Sequence, residues 1–333
     1  MTTTTQGAPS AHILRRFAKD FNIPLPVCDP MGVDHYIDLL DDVYDARRRY
    51  TMFLDLWTRL GGDEPFFVYG ADVQRRALEL VKTSPAYDQF IRDTRDLFSG
   101  HRWLADNVPK GQVYKAVNDG RRFLSIDLAK ANYQALRFYT RTILSHAPAA
   151  DDLILGTSTF DEFIHRFTDE PYFAEAKKFR QVIFGNMNPK RQQKIQKFII
   201  DGVLRFLFDG GWFTEADLRD YTSDEAVFVL NDDVDLDGVC AALRGLAAER
   251  GIDLHLDVYT LRWLRRAGDR LEGGDKLFAR AFTDGRVDLK GVEATLVAQV
   301  CRHLRGEAPD ERDLLFTAPN GLLARYVTPI EWA

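Results

Sequence analysis

The stretch Asp224-Glu225-Ala226-Val227-Phe228-Val229-Leu230 decides the fold, because two carboxylates stand directly before a run of strand-forming residues. The next segment, VDLDGVCAALRGLAAERG (234–251), has a helical pattern that Gly251 closes. A second strand-like run, IDLHLDVYTLRWL, follows from Ile252. This strand–helix–strand order predicts an α+β protein with an antiparallel sheet and packed helices.

A third carboxylate ends another apolar strand almost a hundred residues upstream, in Phe123-Leu124-Ser125-Ile126-Asp127. Two strands that each present an acid can hold divalent metal ions against the phosphates of a nucleotide. We therefore expect Asp127 and Asp224 to bind Mg²⁺ or Mn²⁺, with Glu225 in support. If the two strands are not neighbours, these are ordinary acids at strand ends.

The composition sets limits on the class of protein. The chain has 333 residues, which is enough for one composite domain or two to three subdomains, and its net charge is −6, so any polyanion site must be a local patch. Three widely spaced cysteines argue for a reducing, cytoplasmic setting and against a zinc site. The absence of a signal peptide pattern and of a long apolar run argues against secretion and membrane insertion.

The flanking segments predict helices and one hairpin. Residues 1–10 are small and polar and should be disordered, and 33–60 should form one long helix ended by Gly61-Gly62. A helix from about residue 71 should break near Ser84-Pro85. The stretch 111–126 is typical of a hairpin that turns at Asn118-Asp119-Gly120.

A basic stretch between the two acid-bearing strands could hold a triphosphate. Residues 177–197 contain seven cations and no acid. The cations are Lys177, Lys178, Arg180, Lys190, Arg191, Lys194 and Lys197. Lys177, Arg180 and Phe184 share a helix face, so phosphates could lie along the cations while the aromatic ring packs a base, and Gly185 would allow a close approach. The alternative is a solvated basic helix face.

The helix after Asp127 offers Tyr133 and Gln134 to a sugar or a base edge, if Asp127 is a metal ligand. The alternative is an amphipathic helix with polar residues on its outer side. The chain has no GxxxxGK[ST] or GxGxxG phosphate loop, no GxSxG elbow and no HExxH pair. The sequence therefore lacks the defining turns of P-loop and Rossmann proteins.

Taken in order, these segments resemble the polymerase core of family A DNA polymerases. Ser125-Ile126-Asp127, followed by Gln134-Ala135-Leu136-Arg137, is similar to the first motif of that family. The basic helix that ends in Phe184-Gly185 resembles the second motif, and Ser223-Asp224-Glu225-Ala226-Val227-Phe228 resembles the third, with serine in place of the family's histidine. The resemblance covers roughly residues 30–265.

The resemblance implies a minimal, divergent nucleotidyltransferase, viral or from a mobile element, with nucleic acid and nucleoside triphosphates as partners. Two magnesium ions would bind at Asp127 and Asp224, Lys177, Lys178 and Arg180 would neutralise the triphosphate, and Phe184 and Tyr133 would lie near the base and the sugar. Lys190, Arg191, Lys194 and Lys197 would contact nucleic acid. The implied parts are a disordered tail (1–10), a helical thumb-like region (11–110), a palm (111–267) with reduced fingers (about 150–212), and a C-terminal extension (268–333).

Two other functions stay open. The serine at 223 and the short interval between the second and third motifs would also suit a catalytically inactive, palm-derived module that binds nucleic acid in a salt-sensitive way. An unrelated α+β interaction protein is the other possibility. DNA and RNA templates, and template-free addition, are equally compatible with the sequence.

Overall fold

The computed structural model describes residues 7–104, 110–144, 152–269 and 277–333. Most of the predicted disordered tail lies outside these residues. The predicted α+β class with an antiparallel sheet is confirmed: the described residues form α-helices, a six-stranded sheet and a separate two-stranded ribbon near the end of the chain. Within the described part of the chain, no helix has both the length and the apolar character needed to span a bilayer.

The six-stranded sheet has the order β2-β3-β1-β4-β5-β6. Its strands are β1 (Arg122–Leu128), β2 (Leu218–Tyr221), β3 (Glu225–Val229), β4 (Leu254–Leu264), β5 (Leu277–Phe282) and β6 (Val287–Lys290). Strand β1 pairs antiparallel with β3 on one side and with β4 on the other, and β2 pairs antiparallel with β3. With helices between β1 and β2 and between β3 and β4, the first four strands have the βαββαβ arrangement of ferredoxin-like folds.

Alternation along β1 gives the sheet two different faces. Leu124, Ile126 and Leu128 are buried on one face, where the Phe228 ring of β3 stacks on Phe213 at 4.4 Å. Ser125 and Asp127, which alternate with these residues, lie on the opposite face. This alternation therefore gives the sheet one apolar face and one face that becomes polar toward the end of β1.

The described residues form thirteen α-helices, and side chains cap some of them. They are α1 (Ala11–Phe21), α2 (Val33–Leu39), α3 (Asp41–Tyr44), α4 (Ala46–Leu60), α5 (Asp63–Lys82), α6 (Pro85–Arg92), α7 (Ala131–Phe138), α8 (Phe160–Ile164), α9 (Pro171–Glu175), α10 (Lys177–Phe184), α11 (Pro189–Asp209), α12 (Leu236–Arg250) and α13 (Val297–Leu304). Thr159 and Glu162 form a full capping box on α8, and Ser84 caps α6. The short ribbon consists of β7 (Leu315–Thr317) and β8 (Leu323–Arg325).

The chain divides into two compact units that interleave in sequence. The first unit comprises 1–75, 168–180 and 262–333, and its aromatic core includes Phe17, Phe53 and Tyr172. The second unit comprises 76–167 and 181–261, and contains β1, β2, β3, α11 and α12. The consecutive parts named from the sequence (1–10, 11–110, 111–267 and 268–333) stay a prediction.

Three local expectations need correction. The stretch 33–60 forms three helices instead of one, because Leu40 interrupts the pattern and Asp45 adopts a left-handed conformation with φ 51°. The next helix begins at Asp63, eight residues earlier than expected, directly after Gly61-Gly62. The predicted hairpin at 111–126 has only its second strand: Ala116–Asn118 is a 3₁₀ turn, since the buried Asn118 amide donates to the carbonyl of Val113 at 2.8 Å.

Candidate active site

The strands that carry the predicted acids are direct neighbours. Asp127 lies opposite Glu225 in the β1–β3 ladder, and the Leu128 N–H donates to the Asp224 carbonyl at 2.7 Å. Directly opposite residues in such a ladder have Cα atoms about 4.5–5.5 Å apart and share a face. The condition that the sequence left open is met, and all three acids lie at the same end of the sheet. We call Asp127, Asp224 and Glu225 the acidic sheet end.

Asp224 occupies the turn between β2 and β3. Thr222 organises this turn: its N–H donates to the Glu225 carbonyl at 2.8 Å, and its hydroxyl accepts from the Glu225 N–H at 3.0 Å. The carboxylate of Asp224 accepts from the hydroxyls of Thr222 at 3.1 Å and Ser223 at 3.3 Å. The two hydroxyls therefore hold the Asp224 carboxylate at the tip of a tight hairpin.

Ser125 is a site residue that the sequence reasoning did not single out. Its side chain is buried, and its hydroxyl donates to Glu225 Oε1 at 2.6 Å. The alternation of side chains along a strand could have indicated this role, because Ser125 is two residues before Asp127 and therefore lies on the same face. The bond holds one carboxylate oxygen of Glu225 against β1.

Strand β4 extends the polar face on the other side of β1. His255 lies opposite Asp127, and Asp257 lies opposite Ser125. His255 is exposed, whereas Asp127, Glu225 and Asp257 are half-buried. The alternation in Leu254-His255-Leu256-Asp257 indicates that His255 and Asp257 share one face of β4. The pattern does not indicate which strand pairs with β1.

The donor set suits magnesium shared with a substrate, and it does not form a closed cage. Among the described residues, the only three metal-ligating side chains whose ligand atoms all lie within 4.8 Å of one another are His35, Asp310 and Asp313, so the acidic sheet end does not gather three donors. Mg²⁺ usually keeps several waters and binds one or two carboxylates together with substrate phosphates. Two hard oxygen donors from neighbouring strands fit that mode.

The His35–Asp310–Asp313 group is already satisfied by protein cations. Arg302 donates to the buried Asp313 carboxylate at 2.8 Å, His35 Nε2 lies 2.9 Å from its other oxygen, and Arg312 donates to Asp310 at 2.8 Å. The Arg312 guanidinium holds the pKa of the Asp310 carboxyl far below its usual range. A divalent ion here would compete with guanidinium groups for the carboxylates, and the contacts described link α2 to residues 310–313.

The predicted nucleotide contacts after Asp127 are core residues. Tyr133 is buried, its hydroxyl bonds to Thr157 at 2.9 Å, and burial raises its pKa to about 12. Gln134 is buried too, and its amide contacts the Asp253 carboxylate, which also accepts from Arg137 at 3.2 Å. In this conformation neither side chain presents surface to a nucleotide.

Phe184 is likewise enclosed. Its ring lies 5.8 Å from that of Tyr133 and 5.2 Å from that of Phe163, and it has no exposed surface. A Cβ at Gly185 would approach the Gln181 carbonyl oxygen to 2.5 Å. The close approach expected at Gly185 is therefore made by the chain's own backbone, and the Phe184 ring serves the core.

The predicted basic stretch is divided by the fold. Lys177, Lys178 and Arg180 belong to the first unit, while the other four cations belong to the second, as does the acidic sheet end.

Three of those four cations have protein partners. Arg191 bonds to the Asp93 carbonyl, Lys194 pairs with Asp96 at 2.6 Å, and Lys197 lies over the Trp103 ring at 5.1 Å. Lys190 is exposed on the first turn of α11.

No protein-family model, curated protein or solved structure matches this chain. The function must therefore be argued from the residues and their arrangement alone.

Proposed function

We propose that this chain is a nucleotidyltransferase that adds nucleotides to a 3′-hydroxyl at the acidic sheet end, with nucleic acid and nucleoside triphosphates as substrates. One observation carries the proposal: β1 pairs with β3 in a register that brings Asp127 opposite Glu225 and places Asp224 at the adjoining hairpin tip. Asp127 and the adjacent pair Asp224-Glu225, almost a hundred residues apart in sequence, thus meet at one end of a sheet.

The wider arrangement also supports it. Asp127 lies on β1 and Glu225 on β3, with Asp224 in the turn before β3, and both edges of β1 are paired, so its backbone is held firmly. Ser125 and Glu225 share the face of Asp127, and His255 and Asp257 of β4 extend it. A rigid scaffold below an accessible polar face is what positioning of a substrate requires.

The proposal gives each acid a role. Asp127 and Asp224 would hold Mg²⁺ or Mn²⁺, which supplies charge neutralisation at the phosphates when bound. Thr222 and Ser223 keep the Asp224 carboxylate as an acceptor at the tip, and Ser125 restrains Glu225 beside it. The exposed His255 borders the same face.

The test is incorporation of labelled nucleotides by the full-length chain on primed DNA, primed RNA and template-free primer, with Mg²⁺, Mn²⁺ or EDTA. Asp127→Asn and Asp224→Asn should each lower the rate by about a thousandfold, since a metal-binding carboxylate contributes several kcal/mol. Asp233→Asn is the matched control, because it makes the same charge change in the exposed loop after β3.

Circular dichroism should be the same for all three variants. Metal-dependent incorporation that survives in both site variants would overturn the proposal. Salt-sensitive nucleic-acid binding with no incorporation by the wild type would instead support a binding module.

A further inference from the structure

A cavity of about 260 Å³ lies within the first unit, between α13 and residues 329–332. It plays no part in the proposed transfer reaction. Its volume is just below the range usual for drug-sized ligands, so it would suit a ligand of one small ring system.

One wall of this cavity holds an unpartnered buried donor. Gln299 is 6% exposed, and its Oε1 accepts from the Ile330 N–H at 2.8 Å, which fixes the orientation of the amide. Its Nε2 has no hydrogen-bond partner in the part of the chain that the structure describes. Buried amide donors are nearly always paired, so this group calls for an acceptor that the described residues do not supply.

A second wall is aromatic. The rings of His303 and Trp332 stack with centroids 4.3 Å apart and planes 13° from parallel. Burial lowers the pKa of His303, so its ring is neutral near pH 7 and adds no positive charge to the wall. Since each ring covers one face of the other, a ligand would meet an outer face or the edges of the pair, and a flat outer face favours a planar group.

The remaining polar groups are mainly acceptors. Glu307, Asp310 and Asp313 line the cavity together with one cation, Arg302. Arg302 is already committed, since it donates to Asp313 at 2.8 Å and also contacts Glu307. Each of these carboxylates already accepts from an arginine of the chain, and its remaining lone pairs can accept N–H groups of a ligand.

We propose that this cavity binds a small planar heterocycle that carries both a ring acceptor and amino donors, which is the chemistry of a free nucleobase. The acceptor would meet Gln299 Nε2, the amino donors would meet the carboxylates of Glu307 or Asp310, and the ring would pack against Trp332 and His303. The site would be additional to the acidic sheet end.

The experiment is isothermal titration of the full-length chain with adenine, cytosine and guanine, and with cyclohexanol as a neutral, non-planar ring of similar size. At least one base should bind at one site, and cyclohexanol should not. Gln299→Glu keeps the acceptor for the Ile330 N–H but replaces the free donor by an acceptor, so affinity should fall about tenfold or more. Gln193→Leu, at an exposed position of α11, should leave binding unchanged.

Gln299→Leu is the second variant in case Gln299→Glu does not fold. It should also weaken binding, while its thermal midpoint stays near that of the wild type, since it removes the unpaired amide donor together with the Ile330 bond. The proposal is overturned if no base binds, if cyclohexanol binds as well as the bases, or if the folded Gln299 variants bind with undiminished or increased affinity.

Discussion

At the scale of single residues, Ser125 shows how a small side chain supports the candidate site. It is buried and donates to a carboxylate oxygen of Glu225 at 2.6 Å. Ser125→Ala should lower the free energy of unfolding by about 1–2 kcal/mol, because a hydrogen bond to a charged acceptor is lost. Urea denaturation measures this, and Ser99→Ala, at an exposed position, should change little. An equally stable Ser125→Ala variant would contradict the assigned role.

Asp93 gives a pH-dependent prediction. Arg95 donates to both of its oxygens, at 2.8 and 2.7 Å, and lowers the pKa of the Asp93 carboxyl far below its usual range; the Tyr139 hydroxyl donates to it at 3.1 Å. A depressed pKa stabilises the fold above the unfolded-state pKa of the carboxyl, and this contribution disappears as the pH falls below it.

Asp93→Asn should therefore lower the free energy of unfolding by about 1–2 kcal/mol at pH 7, with the deficit shrinking steadily below about pH 5. Urea denaturation across this pH range provides the measurement. Asp88→Asn is the control, because Asp88 is exposed and lies 3.7 Å from Arg92. A deficit that stays constant from pH 7 to pH 3 would argue against the ionic origin.

At the scale of elements, the junction between α10 and α11 depends on one buried amide. Gln192 Nε2 donates to the carbonyls of Phe184 at 2.7 Å and Met187 at 2.6 Å. Gln192→Leu would leave two buried carbonyls without this donor and should lower the free energy of unfolding by about 2 kcal/mol. Gln193→Leu, one residue along and exposed, separates this effect from the general effect of adding leucine. Equal stability of both variants would show that the junction does not depend on the amide.

The elements best predicted from sequence are those in which several signals agree. The acid pair before β3, the Gly251 cap of α12 and the alternation in β4 all indicated the strand–helix–strand order that the structure has. The break near Asp45 could not be predicted, because a left-handed aspartate is stabilised by its surroundings and leaves no local pattern. The 3₁₀ turn at Ala116–Asn118 could not be predicted for the same reason, because it depends on hydrogen bonds that the side chain of a buried asparagine donates.

The candidate site was predictable only in part. Acids at strand ends are visible in sequence, whereas the identity of the neighbouring strand depends on the whole sheet. An aromatic residue on a helix, such as Phe184, has the same pattern whether it packs in the core or against a ligand, and burial decides between the two. Ser125 and His255 were missed because short polar residues in strands are common and carry no signal until a partner strand is known.

At the scale of the whole molecule, a net charge of −6 means that association with nucleic acid must come from local cations. Lys190 is exposed, whereas Lys194 is paired with Asp96. If Lys190 contacts a phosphate, Lys190→Gln should weaken binding to primed DNA and reduce the slope of log affinity against log salt by about one.

Fluorescence anisotropy at several salt concentrations measures this slope. Lys82→Gln is the matched control, since it removes one exposed charge from the end of α5 in the same unit. Equal slopes for the two variants would place the nucleic acid elsewhere.

The register of β1 against β3 has a further consequence, for changes in chain length. Because side chains alternate between the faces of a sheet, a shift of β1 by one residue would turn Asp127 toward the covered face and bring Ile126 or Leu128 into its place. A shift by two residues would return Asp127 to the same face of the sheet but would no longer place it opposite Glu225. Insertions or deletions near this strand are thus subject to a parity rule, under which one added residue is more damaging to the acidic face than two.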